Sequence, residues 1–259
     1  MNASTLELSI LIPAFLAGLL VTATHVPLGI QVLQRGIVFI DLAIAQIAGL
    51  GIMLADLFGW EPQGWASQGV AMSAAIAGAI VLTWAEKNWP DVQEATIGVS
   101  FVLAASAALL LLAGNPHGGE HLKDLLVGQI LWVNINTLLP VLLVYAVILA
   151  LWFGLTERLG RAGFYVLFAC TVTISVQLVG VYLVFAGLII PAMATRKFGS
   201  HRLIAAYATS AAGYALGLVL SSLFDWPSGA VIVWAMACVA IIVYAARQRM
   251  NAPEILATR

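Results

Sequence analysis

Three observations predict an all-α fold, a polytopic transmembrane helix bundle of about eight to nine spans. The 259-residue chain is 62% hydrophobic and 9% charged, whereas soluble domains carry about 25% charged residues. Its mean hydropathy is +1.02. Apolar runs recur along the whole length, and threading them as alternating crossings collects ten of the eleven Lys and Arg on one side. No long polar stretch interrupts the runs, so 1–259 is read as one transmembrane domain.

The first run covers 8–28. The segment before it, MNASTLELSI, has no basic residue and contains Glu7, unlike a secretory leader. This run is therefore expected to be a retained span. Further runs fall at 40–58, 66–85, 95–113 and 137–153. Small residues dominate 71–80 and 102–110, which suits the close helix approach that drives packing in lipid.

Between Arg161 and Arg196 there is no Asp, Glu, Lys, Arg or His. One straight helix of that length would measure about 50 Å, too long for a hydrocarbon core of about 30 Å. It would also put the basic ends on opposite sides. Two short crossings, 163–180 and 182–195, broken near Gly180, return both ends to one side. Runs at 203–223 and 228–246 complete the set. A shorter piece, 122–133, reads as an interfacial or re-entrant helix.

Basic loops favour the cytoplasm. The segments 29–39, 86–94, 154–162, 196–202 and the basic tail 247–259 hold Arg35, Lys87, Arg158, Arg161, Arg196, Lys197, Arg202, Arg247, Arg249 and Arg259, against Lys123 alone on the other side. This predicts an outer N-terminus and an inner C-terminus. The tail is expected to be frayed.

No phosphate-cradling G-x-x-x-x-G-K-[ST] motif occurs, so any ATP hydrolysis would belong to another subunit. His117, Glu120 and His121 match the H-x-x-E-H spacing of a zinc peptidase. Asn115-Pro116 and Gly118-Gly119 disfavour the helix that chemistry needs. A metal-capturing outer loop and a plain solvated loop are the other readings. Intramembrane ionisable groups point to function, which singles out Asp41, with Gln46 and His25 as companions in a polar path. A carboxylate with an imidazole suits zinc or manganese. The plainer alternatives are helix capping for Asp41, a backbone hydrogen bond for His25, and an interhelical hydrogen bond for Gln177.

Several stretches together resemble one family. PLGIQVLQRGIVFIDLAIAQIAGLG (27–51), ATIGVSFVLAASAALLLL (95–112), KDLLVGQILWVN (123–134), VGVYLVFAGLIIPAMATRKF (179–198) and WPSGAVIV (226–233) occur in the order found in the permease subunits of zinc/manganese-type ATP-binding-cassette importers, the ABC-3 metal permeases. The resemblance covers nearly the whole chain.

What the resemblance implies is a type II ABC importer permease-like bundle in the bacterial inner membrane. It would form a homodimer, and it would pair with a cytoplasmic ATP-binding-cassette ATPase and an extracytoplasmic metal-binding protein. No nucleic-acid partner and no resident cofactor are expected; the transported ion, zinc before manganese, is cargo. By analogy with related permeases, the inner loop 154–163, with Thr156, Glu157, Arg158, Leu159 and Gly160 as its core, would couple to the ATPase. Many members carry G-D-x-x-x-H at the entry of the second span. Here Asp41 is kept, Ile40 replaces the Gly and Ala45 stands where the His would be, leaving Gln46 or His25 to compensate. The alternatives are a permease for a chelated metal or vitamin-type cargo, a secondary transporter, and a membrane metalloprotease using His117, Glu120 and His121.

Overall fold

A computed structural model describes residues 8–61, 64–112, 126, 128 and 130–256, with the backbone only at 156–159 and 250–256. The described residues are helical with short turns and contain no strand. Helix α1 spans Leu8–Arg35, α2 Ile40–Leu57, α3 Trp65–Asn88 and α4 Gln93–Leu112. A continuous helical run, Ile135–Val179, is broken by non-helical backbone at Leu155 and Gly160. Its two arms are α5, Ile135–Leu155, and α6, Gly160–Val179. Then follow α7 Val181–Ala194, α8 Arg202–Phe224 and α9 Ser228–Leu256.

Eight of these helices are long and apolar enough to cross a membrane, and α7 is a ninth, shorter apolar helix. The predicted break lies at Gly180, which ends α6 and begins α7 with φ 83° and ψ 161°. That backbone region is essentially open to glycine alone. The fourteen residues of α7 cover about 21 Å, less than the hydrocarbon core. Of the expected re-entrant piece 122–133 only residues 126, 128 and 130–133 lie within the described residues, and Gly128 meets the hairpin here. A side-chain carbon on Gly128 would overlap the backbone of Val179 and Gly180. Just after it, the 3-10 turn Ile130–Trp132 buries Ile130.

Two boundaries differ from the sequence reading. Helix α1 continues past residue 28 to Arg35, carried through Pro27 by neighbours on α7 and α8. Helix α9 continues through the tail to Leu256, where fraying was expected.

The two most enclosed spans are α2 and α6, while α4 and α5 are the most outward-facing. Ten residues of α7 are also buried, so the charge-free stretch lies in the core. Glycine and alanine make this possible. Gly29 of α1 meets the Leu188 carbonyl of α7, and Gly213 and Gly217 of α8 meet Met236 and Ile232 of α9. On α3, Ala71, Ala75 and Ala79 are buried in one row, and Ala71 backs onto Gly51 of α2.

Contacts at helix ends agree with the charge-based threading. Arg35, ending α1, lies 4.2 Å above the Phe164 ring at the start of α6. Arg161 of α6 pairs with Glu86 at the end of α3 at 3.7 Å. Arg247 of α9 lies over Phe198 of the α7–α8 turn at 5.2 Å. Each joins two ends that the threading puts on the inner side.

Candidate functional site

Helix α2 begins without a side-chain cap of its own. Gly36, at φ 73°, turns the chain after α1, and Phe39 takes the N-cap position. Its N–H donates to Glu94 Oε1 of α4 at 3.3 Å. Glu94 therefore supplies from a neighbouring helix the acceptor that the local sequence lacks.

This arrangement leaves Asp41 uncommitted. It lies in the first turn of α2 rather than at the cap, so the capping reading does not hold. It is 1% exposed, and neither carboxylate oxygen has a hydrogen-bond partner. A carboxylate removed from water without a partner carries a large penalty. A proton or a cation relieves it. Ala45, one turn on, is fully buried and brings only a methyl group to that face.

His25 is also fully buried. Its Nδ1 lies 3.0 Å from the Val21 carbonyl oxygen, which can only accept, so Nδ1 carries the proton in the neutral ring. The backbone hydrogen bond expected for His25 is thus present. Nε2 is left as a lone pair with no partner. An imidazole anchored through Nδ1–H with a free Nε2 is suitable for metal ligation.

No hydrogen bond joins Asp41, Gln46 and His25. Because α1 extends to Arg35, His25 lies about 15 Å along the axis from its inner end, whereas Asp41 lies within about 2 Å of the start of α2. Around His25, α1 is tied to α8: Thr22 and Ser210 hydroxyls are 2.8 Å apart, and Tyr207 donates to the Ala23 carbonyl at 3.0 Å. Gln46 is buried, just over one turn beyond Asp41. Among the described residues no group of three or more His, Cys, Asp or Glu is placed to hold a metal.

Thr173 Oγ1, Gln177 Nε2 and the Tyr214 hydroxyl are among the other buried polar atoms that lack partners. Thr173 and Gln177 stand four residues apart and so share one face of α6. The hydrogen bond expected from Gln177 is absent at its amide nitrogen, a correction to the sequence reading. Thr173 and Tyr214 carried no sequence signal, because hydroxyl residues in spans ordinarily bond their own helix or a neighbour. Ser175 does both, bonding Thr171 of its own helix at 2.8 Å and the Tyr145 hydroxyl of α5.

The expected coupling segment, 154–163, contains the break between α5 and α6. Gly160 has φ 57° and is exposed. The side chains of Thr156, Glu157, Arg158 and Leu159 lie outside the described residues, as do His117, Glu120 and His121. The segment's flanks are anchored: Trp152 and Phe164 pack at 5.8 Å, Arg35 covers Phe164, and Arg161 reaches Glu86.

The model of the ABC 3 transport family matches residues 7–162 and 150–247. The chain is 23% identical over 269 residues to the "High-affinity zinc uptake system membrane protein ZnuB" of Haemophilus influenzae, covering 93% of this chain and 99% of that one. It is 26% identical over 257 residues to a "Probable iron transport system membrane protein" of the same organism, covering 90% and 92%. Among solved structures it resembles PsaBC from Streptococcus pneumoniae, solved in complex with Fab, with a TM-score of 0.71 and 21% identity over 91% of this chain and 90% of that one.

Proposed function

This chain belongs to the ABC 3 transport family, and on that footing we propose that it forms the membrane path of an ATP-driven importer for a divalent metal, zinc before manganese. The observation that carries the proposal is Asp41, a buried carboxylate at the inner entry of α2 with both oxygens unpartnered. Partner-free charge at membrane depth is costly and marks ion pathways. A passing dication would relieve that cost transiently, which suits a path better than a storage site.

His25 Nε2 would offer a second ligand deeper in the bundle, and Gln46 an amide oxygen between them in depth. With Ala45 in place of a second ligand next to Asp41, the ion would be held loosely there and handed on. Zinc accepts both carboxylate oxygen and imidazole nitrogen. The relative named for zinc supports that choice. The relative named for iron leaves other divalent metals as competitors in the test.

The energy would come from a separate ATPase, since the chain has no P-loop. In this proposal two copies pair in the inner membrane and an extracytoplasmic protein delivers the metal. ATPase closure would move the segment 154–163, with Thr156, Glu157, Arg158, Leu159 and Gly160 as its docking core. The Arg35–Phe164 and Arg161–Glu86 contacts would carry that movement into α1 and α3. His117, Glu120 and His121 would act, if at all, as an outer capture loop.

Zinc and manganese accumulation, compared in cells lacking the chain and cells with it restored, tests the proposal. Expected is a selective loss of zinc accumulation that the wild-type chain restores, while Asp41→Ala and Glu157→Ala do not. Unchanged accumulation of both metals, in a strain with no other importer, overturns it.

A further inference from the structure

A cavity of about 540 Å³ opens beside the inner ends of α3 and α6, lined by Ile80, Thr83, Trp84, Lys87, Arg161 and Val166, with Ala162 between the last two. Its volume falls within the range of ligand sites. Four of its lining residues lie on α3, where the seven steps from Lys87 to Ile80 descend about 10 Å from the inner surface into the hydrocarbon. The two cations stand at the rim, and the lining below them is apolar. The Thr83 hydroxyl is already bonded to the Ala79 carbonyl at 2.7 Å.

The rim is built rather than incidental. Trp84 is held edge-on by Trp89, with ring centroids 4.8 Å apart at 78°, at the interfacial level tryptophan prefers. Arg161 is steered by Glu86, whose carboxylate lies 3.7 Å from its Nε. Among the described residues Glu86 is the acidic group paired with Arg161, and its side chain is 15% exposed while that of Arg161 is 63% exposed. The guanidinium nitrogens beyond Nε therefore remain available. Lys87 makes no ion pair among the described residues.

The geometry points to a binding site for an anionic phospholipid of the inner leaflet, with its phosphate between Lys87 and Arg161 and one acyl chain along Ile80, Trp84 and Val166. Charge complementarity identifies the occupant: two cations at headgroup level above an apolar slot match a phosphate on a lipid tail, and the inner leaflet supplies such lipids. The site joins α3 to α6 and takes Arg161 and Ala162 from the end of the segment 154–163, so the lipid would brace the same helix pair that the Arg161–Glu86 contact ties. The inference does not depend on which metal is carried.

The test is native mass spectrometry of the purified full chain in detergent, titrated with phosphatidylglycerol and with phosphatidylcholine of identical acyl chains. Expected is a preference of roughly tenfold or more for phosphatidylglycerol, whose phosphate carries a net negative charge to the two cations, whereas the choline cation offsets that of phosphatidylcholine. Lys87→Gln with Arg161→Gln should reduce retention of phosphatidylglycerol to that of phosphatidylcholine. Val166→Trp, which fills the slot, should weaken both lipids and leave the protein monodisperse on size exclusion. Equal retention of the two lipids by wild type overturns the inference. So does unchanged phosphatidylglycerol retention in a monodisperse Lys87/Arg161 double variant. Loss of ATPase co-purification in that variant, with lipid retention unchanged, assigns the groove to a protein partner instead and likewise overturns it.

Discussion

Gly29 of α1 lies directly against the carbonyl oxygen of Leu188 in α7, so close that a side-chain carbon at residue 29 would overlap that oxygen and its carbonyl carbon. The contact seats the short helix of the hairpin on the first span. Leu188 belongs to α7's own hydrogen-bonded backbone and cannot swing aside as a flexible side chain could.

Gly29→Ala should therefore destabilise the chain by about 1–3 kcal/mol, the usual cost of overpacking. The control is Gly98→Ala in α4, where nothing lies within 4 Å of the added carbon and helix propensity favours Ala by about 1 kcal/mol. Thermal unfolding in detergent should lower the midpoint for Gly29→Ala and leave it unchanged or raised for Gly98→Ala. Equal midpoints would show that α1 and α7 are not seated this closely.

Gly180 raises a different issue, one of backbone shape. Its φ of 83° with ψ of 161° lies in a region that costs other residues about 1–3 kcal/mol. Gly180→Ala should lower stability by that amount or straighten the α6–α7 hairpin. Protease accessibility of the α7–α8 turn, which holds Arg196 and Lys197, would report the second outcome.

Asp41 should separate transport from stability. Asp41→Asn removes a buried charge without changing the shape, so folding stability should hold or rise. Metal uptake should fall by roughly tenfold or more, on the scale seen when metal-site groups are lost. A large loss of stability with normal uptake per folded molecule would make Asp41 a structural residue.

Glu94 accepts from the Phe39 N–H, from another helix, and so holds the start of α2. Glu94→Ala should cost about 1 kcal/mol, typical of a lost N-cap. Glu94→Gln, which keeps an acceptor oxygen, should cost less. Chemical denaturation of the two variants gives the comparison, and equal losses would mean the bond contributes nothing.

His25 is anchored through Nδ1 to Val21, and its Nε2 is unpartnered. Asn can reproduce a donor near Nδ1 but offers nothing at Nε2. His25→Asn should fold as wild type and transport metal less well, measured by uptake normalised to protein in the membrane. Unimpaired uptake would restrict His25 to its backbone bond.

Much of the architecture was legible because lipid imposes simple rules. Charge is excluded from spans, so the apolar runs marked all of α1 to α9, most of them within a few residues. The cations sort to one side, so the threading followed, and the helix-end contacts of Arg35, Arg161 and Arg247 agree with it. The charge-free stretch between Arg161 and Arg196 exceeded one membrane thickness, so a break was required, and Gly180 was the residue able to supply it. Boundaries were less legible. Helix α1 runs on to Arg35 because packing against α7 and α8 supports it through Pro27.

The candidate site was legible only as a list of residue types. Sequence spacing put Asp41 in the first turn of α2, but a first-turn Asp is ordinarily a cap. Only the tertiary structure brought Glu94 from α4 to the Phe39 N–H and left Asp41 buried without a partner. Likewise, the sequence reading set His25 near the inner end of the first span, where it could approach Asp41. Helix α1 runs on to Arg35, which puts His25 about 15 Å along the helix from that end, and no hydrogen bond joins the two side chains. By itself the chain determined its candidate spans and its hairpin, because these follow from the cost of polar groups in hydrocarbon. Partnership among those groups depends on which helices lie side by side, and only the tertiary structure sets α4 against the start of α2 and α7 against α1.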